Sequence, residues 1–182
     1  MTGKFLEGKV AVITGGRRGI GKAMGLALGA VGAKLALADL ESTDAAVAEA
    51  RAQGIDAAGF HCDVSDEASV AKLEQAVIER FGTAHIVIND AGVALRKALP
   101  YTTTADWRRV IGINLDGVFF VTRAFAPHLK RNKWGRIINL ASVMAHIATG
   151  DRLAYCASEA GVLAMTKSLA LDLGGDGITV VA

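Results

Sequence analysis

Short apolar runs alternate with longer stretches in which apolar residues recur every three to four positions, along the whole chain. The runs fall at residues 10–14, 34–38, 57–62, 86–89, 136–140 and 178–181. Most are apolar at consecutive positions, the pattern of parallel strands covered on both faces. Among the intervening stretches, residues 65–81 put Val70, Leu73, Val77 and Phe81 on one helix face. Ser65 suits the cap of that helix, Asp66 and Glu67 its first turn, and Gly82 its end. Two further helices are predicted over about 105–130 and about 154–173, the second stopped by Gly174-Gly175. Strand–helix repetition of this kind predicts an α/β fold, a doubly wound parallel sheet between two helix layers with right-handed crossovers. With no internal linker, low-complexity tract or fixed-period repeat, residues 1–182 read as a single domain.

Composition narrows the class. Of 182 residues, 52% are hydrophobic and 21% charged, a globular balance with enough length for one substantial core. The 21 glycines anticipate tight turns and close backbone approaches. A net charge of +2 gives no ground for a nucleic-acid or anionic-membrane partner. The basic clusters are short, and the one at Lys130, Arg131 and Lys133 suits a helix C-terminus. Two cysteines, Cys62 and Cys156, make no disulfide framework, and a reducing compartment is the default. The start, MTGKFLEGKV, lacks the apolar stretch of a secretory signal, and no run is read as long enough to span a bilayer. The expectation is a cytoplasmic protein.

The first predicted strand runs into Thr14-Gly15-Gly16-Arg17-Arg18-Gly19-Ile20-Gly21 and then a helical pattern. Glycine is needed where a backbone turns sharply against a pyrophosphate, and a helix start aims free N–H groups and a positive dipole end at the anion. A Gly-rich turn alone is a weak signal. Here a strand precedes it, a helix follows, and Asp39 closes the next strand, where an acid can accept bonds from the adenosine ribose hydroxyls. The combination predicts dinucleotide binding.

Thr-Gly-x-x-x-Gly-Ile-Gly resembles the turn of the short-chain dehydrogenase/reductase family, and other motifs of that family follow in register from about Gly8 onward. Asp63-Val64 stands where the family places its adenine-side contacts. Asn89-Asp90-Ala91-Gly92 resembles its Asn-Asn-Ala-Gly turn, with Asp90 in place of the second Asn. Asn114 matches its catalytic-helix Asn, and Ser142 and Tyr155, thirteen residues apart, match its Ser and Tyr. The resemblance implies a Rossmann-like three-layer α/β/α fold with strand order 3-2-1-4-5-6. It implies a cofactor held by Gly15, Arg17, Arg18, Gly19, Ile20, Gly21, Asp39, Leu40, Asp63, Val64, Asn89, Ala91, Gly92 and Tyr155. NAD(H) is expected over NADP(H), because Asp39 would repel a 2′-phosphate. Arg17 and Arg18 pull the other way, since an Arg can pair with that phosphate.

The same resemblance implies hydride transfer between an alcohol and a carbonyl. Tyr155 would be the acid/base, Ser142 would hold the substrate oxygen, and Asn114 would support a water-linked proton path. Taken singly, each has a blander reading as a core, turn-capping or backbone-satisfying residue. The family's Tyr-x-x-x-Lys reads here Tyr155-Cys156-Ala157-Ser158-Glu159. Residues four apart share a helix face, so a Lys would lower the Tyr phenol's pKa whereas Glu159 opposes that. A carboxylate at Glu159 is able to accept a ribose hydrogen bond but cannot do the electrostatic work of the Lys. The chain also stops at Ala182, before the lid and seventh strand the family would lead one to expect.

The histidines, His61, His85, His128 and His146, show no metal-ligand spacing. His85 and His128 read as surface or helix-end residues, and His146 as a candidate wall of a substrate pocket with Val93, Leu95, Val143 and Met144. Trp107 and Trp134 read as anchors of the long helix and of the approach to the fifth strand. Three functions stay open: an alcohol/carbonyl oxidoreductase, a dinucleotide-binding subunit with little turnover, and a piece or altered version of a longer enzyme. A homo-oligomer, dimer or tetramer, is expected from the two long helices by resemblance.

Overall fold

In the computed structural model, which describes residues 3–182, six strands form one parallel sheet. In chain order these are β1 (Val10–Thr14), β2 (Lys34–Asp39), β3 (Ala57–His61), β4 (Ile86–Asn89), β5 (Gly135–Asn139) and β6 (Ile178–Val181). Their order across the sheet is β3-β2-β1-β4-β5-β6, the three-layer Rossmann arrangement. The reversal of winding between β1 and β4 opens a crevice at the carboxyl ends of those two strands. In register, Thr14 lies beside Ala38 on one side and Asn89 on the other, so the three connections after these strands emerge side by side.

Alternation along β1 explains both helix layers. Ala11 and Ile13 face a core closed by helices α1 (Gly19–Ala30) and α2 (Asp44–Ala52). Val12 faces the other core, closed by α3 (Glu67–Phe81), α5 (Gly117–Arg131) and α6 (Leu153–Gly174). Phe125 and Leu73 are the bulky anchors of this second layer, both essentially fully buried.

Several expected boundaries move. Asp66, not Ser65, caps α3, accepting from Ala68 N–H at 3.0 Å. The Ser65 hydroxyl donates to the Asp63 carboxylate at 2.7 Å, which holds it in a turn with Asp63. Gly82 does close α3 in the left-handed conformation (φ 78°). α6 does end at Gly174-Gly175 as expected, with Gly175 near helical (φ −63°) and the left-handed turn following at Gly177 (φ 75°).

The predicted helix over 105–130 is a rod in three parts: α4 (Thr104–Ile111), a π-helical turn (Gly112–Asp116) and α5. Contrary to the sequence reading, the rod Thr104–Arg131 is long and apolar enough to cross a membrane by length and composition. Here its apolar side is spent on the protein, with Val110, Val118, Val121, Phe125 and Leu129 buried.

His128 is at a helix end as expected, in the last turn of α5, but is not on the surface. It is only 7% exposed and bonded to Glu74 of α3. His85 Nδ1 accepts from Val10 N–H at 3.1 Å, at the amino edge of the sheet. Trp134 lies beside it, with Lys9 Nζ 4.4 Å and Arg136 Cζ 4.5 Å from its ring centre.

Candidate active site

The crevice between the two halves of the sheet holds a cavity of about 530 Å³. Its floor is the turn after β1. Gly15 adopts φ 69° there, and a Cβ on it would come 3.0 Å from Ala91 N. At Gly21, inside the first turn of α1, a Cβ would meet Gly15 O at 2.5 Å and Asp90 Oδ2 at 2.6 Å. Only glycine lets these three segments close on one another. Gly15, Arg17, Arg18, Gly19, Ile20, Asp39, Leu40, Asp63, Val64, Ala91 and Gly92, all expected at the cofactor, line this cavity.

Asp39 sits at the carboxyl end of β2 with its carboxylate accepting from Arg17 N–H (3.3 Å) and Glu41 N–H (3.1 Å). The Arg17 guanidinium pairs with Glu41 at 2.8 Å, and its buried Nε has no hydrogen-bond partner. The Asp63 carboxylate is turned onto Ser65. Ile20 and Leu40 leave large apolar surface exposed at the rim, 61% and 59%. A glycine turn without room for side chains, a helix start, an acid and apolar rims together suit a dinucleotide.

Three expected cofactor contacts, Gly21, Asn89 and Tyr155, are not among the residues lining the cavity. Asn89 is buried behind the cavity, donating to Asn139 Oδ1 (2.8 Å) and Thr122 Oγ1 (3.2 Å). Asn139 donates on to Thr166 at 2.9 Å, so this polar ladder ties β4 and β5 to α5 and α6. Tyr155 is on the first turn of α6, outside the cavity lining. Cys62, Glu41, Arg109, Ile113 and Asp90 line the cavity although sequence reasoning did not place them there. Burial pushes the Cys62 thiol up to about 11, which makes it an inert wall. Asp90 was visible only as a departure from the family motif, and its partner is 69 residues away: Gly21 N–H, at 2.8 Å.

The expected catalytic residues gather next to this cavity, at the π turn. Asn114 is buried and grips Val93 twice, Oδ1 accepting from Val93 N–H and Nδ2 donating to Val93 O, both at 2.9 Å. Its Nδ2 also approaches Ser158 Oγ (3.3 Å), which donates to Tyr155 O at 2.8 Å. Val93 and Ile113 both line the cavity, so the Asn114 site adjoins it. π turns interrupt the regular i−4 bonding, and here the interruption lies at the residue that reaches across to the loop.

Ser142 caps the short turn Val143–Ala145, its hydroxyl accepting from Met144 N–H at 3.2 Å. Glu159, one helical turn after Tyr155, is only 6% exposed, with the Asn114 side chain and the Ser142 backbone as its polar neighbours. Burial raises its pKa above the ordinary carboxylate value, while those two neighbours pull it back down. Glu159 thus lies on the same helix face as Tyr155, close to Asn114 and Ser142. Of the expected substrate walls, only Val93 lines the cavity; Val143 and His146 are exposed. Among the described residues no His, Cys, Asp and Glu cluster suits a metal.

The family described as short chain dehydrogenase matches residues 9–182. The chain is 39% identical over 177 residues to D-threitol dehydrogenase of Mycolicibacterium smegmatis, covering 96% of this chain and 68% of that protein. It is 37% identical over 180 residues to 3-oxoacyl-[acyl-carrier-protein] reductase of Synechocystis, covering 97% and 73%. The crystal structure of an NAD+-bound xylitol dehydrogenase superposes with a TM-score of 0.93 at 31% identity, covering 97% of this chain and 69% of that one.

Proposed function

This chain belongs to the short-chain dehydrogenase family, whose chemistry is NAD(P)-dependent interconversion of alcohols and carbonyls, and from that premise we propose that it is an NAD(H)-preferring dehydrogenase of small diols or polyols. The carrying observation is one continuous arrangement: the glycine turn and Asp39 border a cavity whose far wall, Val93 and Ile113, is braced by Asn114 beside Ser142, Tyr155 and Glu159. The diol or polyol preference rests on the names of the threitol and xylitol dehydrogenases.

When bound, the nicotinamide supplies the hydride acceptor or donor. Gly15, Gly19 and Gly21 would admit the diphosphate, and Asp39 the adenosine ribose. Tyr155 would take the hydroxyl proton from the substrate and return it to a carbonyl oxygen, with the Ser142 hydroxyl holding that oxygen. Asn114 would keep the loop at Val93 in place against the cavity. Glu159 stands where the family motif carries Lys, so the phenolate has no ammonium to stabilise it, and turnover is low for the family. A dinucleotide-binding subunit with negligible turnover is the second reading, and the buried Glu159 carboxyl is what favours it.

For cofactor choice, Asp39 outweighs Arg17. The Arg17 guanidinium is already engaged by Glu41, while an added 2′-phosphate would have to approach a carboxylate fixed by two backbone N–H bonds. Assembly is proposed through α4–α5 and α6, where Trp107, Phe119 and Leu171 expose apolar surface; a monomer by light scattering would refute this.

The deciding experiment follows nicotinamide absorbance with threitol, xylitol, 2,3-butanediol and a 3-oxoacyl thioester, each with NAD(H) and NADP(H). Turnover on a polyol with NAD+ is the expected result. Turnover on the thioester alone would reassign the substrate, and tight NADH binding with no turnover on any would establish the second reading.

A further inference from the structure

The acid after β4 is not idle in this cavity. Asp90 Oδ2 accepts the Gly21 N–H of α1 at 2.8 Å, and its own N–H reaches Thr14 Oγ1 at 3.3 Å. It is thereby joined to both ends of the glycine turn, β1 before it and α1 after it. Arg18, at the N-cap of α1, supplies no side-chain cap, so Asp90 does that work from another element of the fold. Asp90 also lines the cavity itself. A carboxylate therefore sits on the helix start to which a dinucleotide's diphosphate would be drawn.

We propose that Asp90 is a positioning residue of the phosphate turn and that dinucleotide binding is coupled to uptake of one proton from solvent by its carboxyl. This rests on the dinucleotide-binding reading above. The charge environment gives the direction. On the same cavity, Arg17 is neutralised by Asp39 and Glu41, and Asp63 comes from the end of β3. Arg18 on the turn and Arg109 on α4 are the other cations of the lining, neither of them ion-paired among the described residues, and both are exposed to solvent. Lys22 on α1 is paired with Glu49. Burial foremost and Asp39 next raise the Asp90 carboxyl above its ordinary range, against the lowering effect of the Gly21 bond. Two further negative charges arriving at the same helix start favour the neutral acid, whose carbonyl oxygen still accepts from Gly21.

The sign of the linkage is fixed by this. Below the free-protein pKa of Asp90 the acid is already protonated and NADH binds at full affinity. As pH rises through the free and then the bound pKa, affinity falls, by about tenfold for each unit separating them. Above both it levels off. The test is calorimetric titration of the full chain with NADH, in buffers of different ionisation enthalpy, from acid to neutral pH. Wild type should take up a proton, with affinity falling as pH rises. Asp90→Asn keeps an acceptor for Gly21 and should take up none, bind equally across the range and match the wild type's acid affinity at neutral pH. Asp90→Ala should bind weakly at every pH, having lost the turn's partner. Tight wild-type binding without proton uptake, or an Asp90→Asn profile that still falls with pH, overturns the proposal alone. Absence of NADH and NADPH binding in all forms at any pH overturns the dinucleotide reading and the proposal with it.

Discussion

Asn114 holds both polar groups of the Val93 backbone at once, its amide oxygen on the N–H and its amide nitrogen on the carbonyl, each at 2.9 Å. No backbone pairing serves Val93 there, so the side chain substitutes for a missing strand neighbour. Asn114→Ala strips both bonds inside a buried site. The expected cost is about 2–4 kcal/mol, a fall of roughly 5–15 °C in Tm for a chain of this size. Asn114→Asp keeps the acceptor but sets a carboxylate against the Val93 carbonyl, and calorimetry should find it no better than Ala.

Gly21→Ala tests the closeness of the turn. In a helix Ala is ordinarily the more favourable residue by about 1 kcal/mol. Here the new Cβ would stand 2.5 Å from the Gly15 carbonyl and 2.6 Å from Asp90, so the turn must open. NADH affinity should fall by about tenfold or more, equivalent to about 1.4 kcal/mol, while the circular dichroism spectrum stays that of the wild type. Unchanged affinity would show that the diphosphate does not use this turn.

Glu159 separates stability from turnover. Its proton affinity is raised in the folded chain, so it costs stability as pH climbs from the ordinary carboxylate value, near 4.5, through the raised one. Glu159→Gln should melt higher than wild type at neutral pH, by roughly 2–4 °C for each 1 kcal/mol relieved, with the gap closing on acidification. Glu159→Lys should raise kcat about a hundredfold, two powers of ten being about 2.8 kcal/mol of barrier, and move the optimum for alcohol oxidation to lower pH. Equal kcat in the Lys and Glu forms would mean that another group assists Tyr155.

His85 should give the opposite pH signature. Burial, and then Lys9, hold its pKa below the usual value near 6.5, and the neutral ring is the form whose Nδ1 accepts from Val10 N–H. Its contribution is present above that value and is lost as pH falls through it. His85→Asn offers an oxygen in place of Nδ1 without the titration. Melting curves from neutral to mildly acid pH should drop more steeply for wild type than for this variant.

What could be read in the residues was what depends on short-range periodicity. Consecutive apolar positions mark all six strands to within a residue, and the glycine turn with Asp39 marks the cavity. What escaped was set by distant partners. Ser65 and Asp66 are equally good caps on propensity, and the Ser65 hydroxyl instead donates to Asp63. Nothing around His128 announces Glu74 on another helix, and nothing around Asp90 announces Gly21. The burial of Glu159 likewise depends on two other elements, the turn after Ser142 and the π turn that carries Asn114, packing against α6.

The π turn in the long rod acts as a phase adjuster. α4 packs against α6, whereas α5 packs against α3, β4 and β5, so the two halves of one rod answer to different neighbours. A single residue in a regular helix is worth about 100° of rotation. The extra residue taken up within Gly112–Asp116 therefore sets the angle between the face that Val110 buries and the face that Val121 and Phe125 bury, like an offset cut into a camshaft. Removing one residue from this turn would leave composition and hydropathy nearly untouched, yet force a choice: α4 seated on α6 with α5 misaligned on the sheet, or the reverse, with Asn114 swung off Val93 in either case.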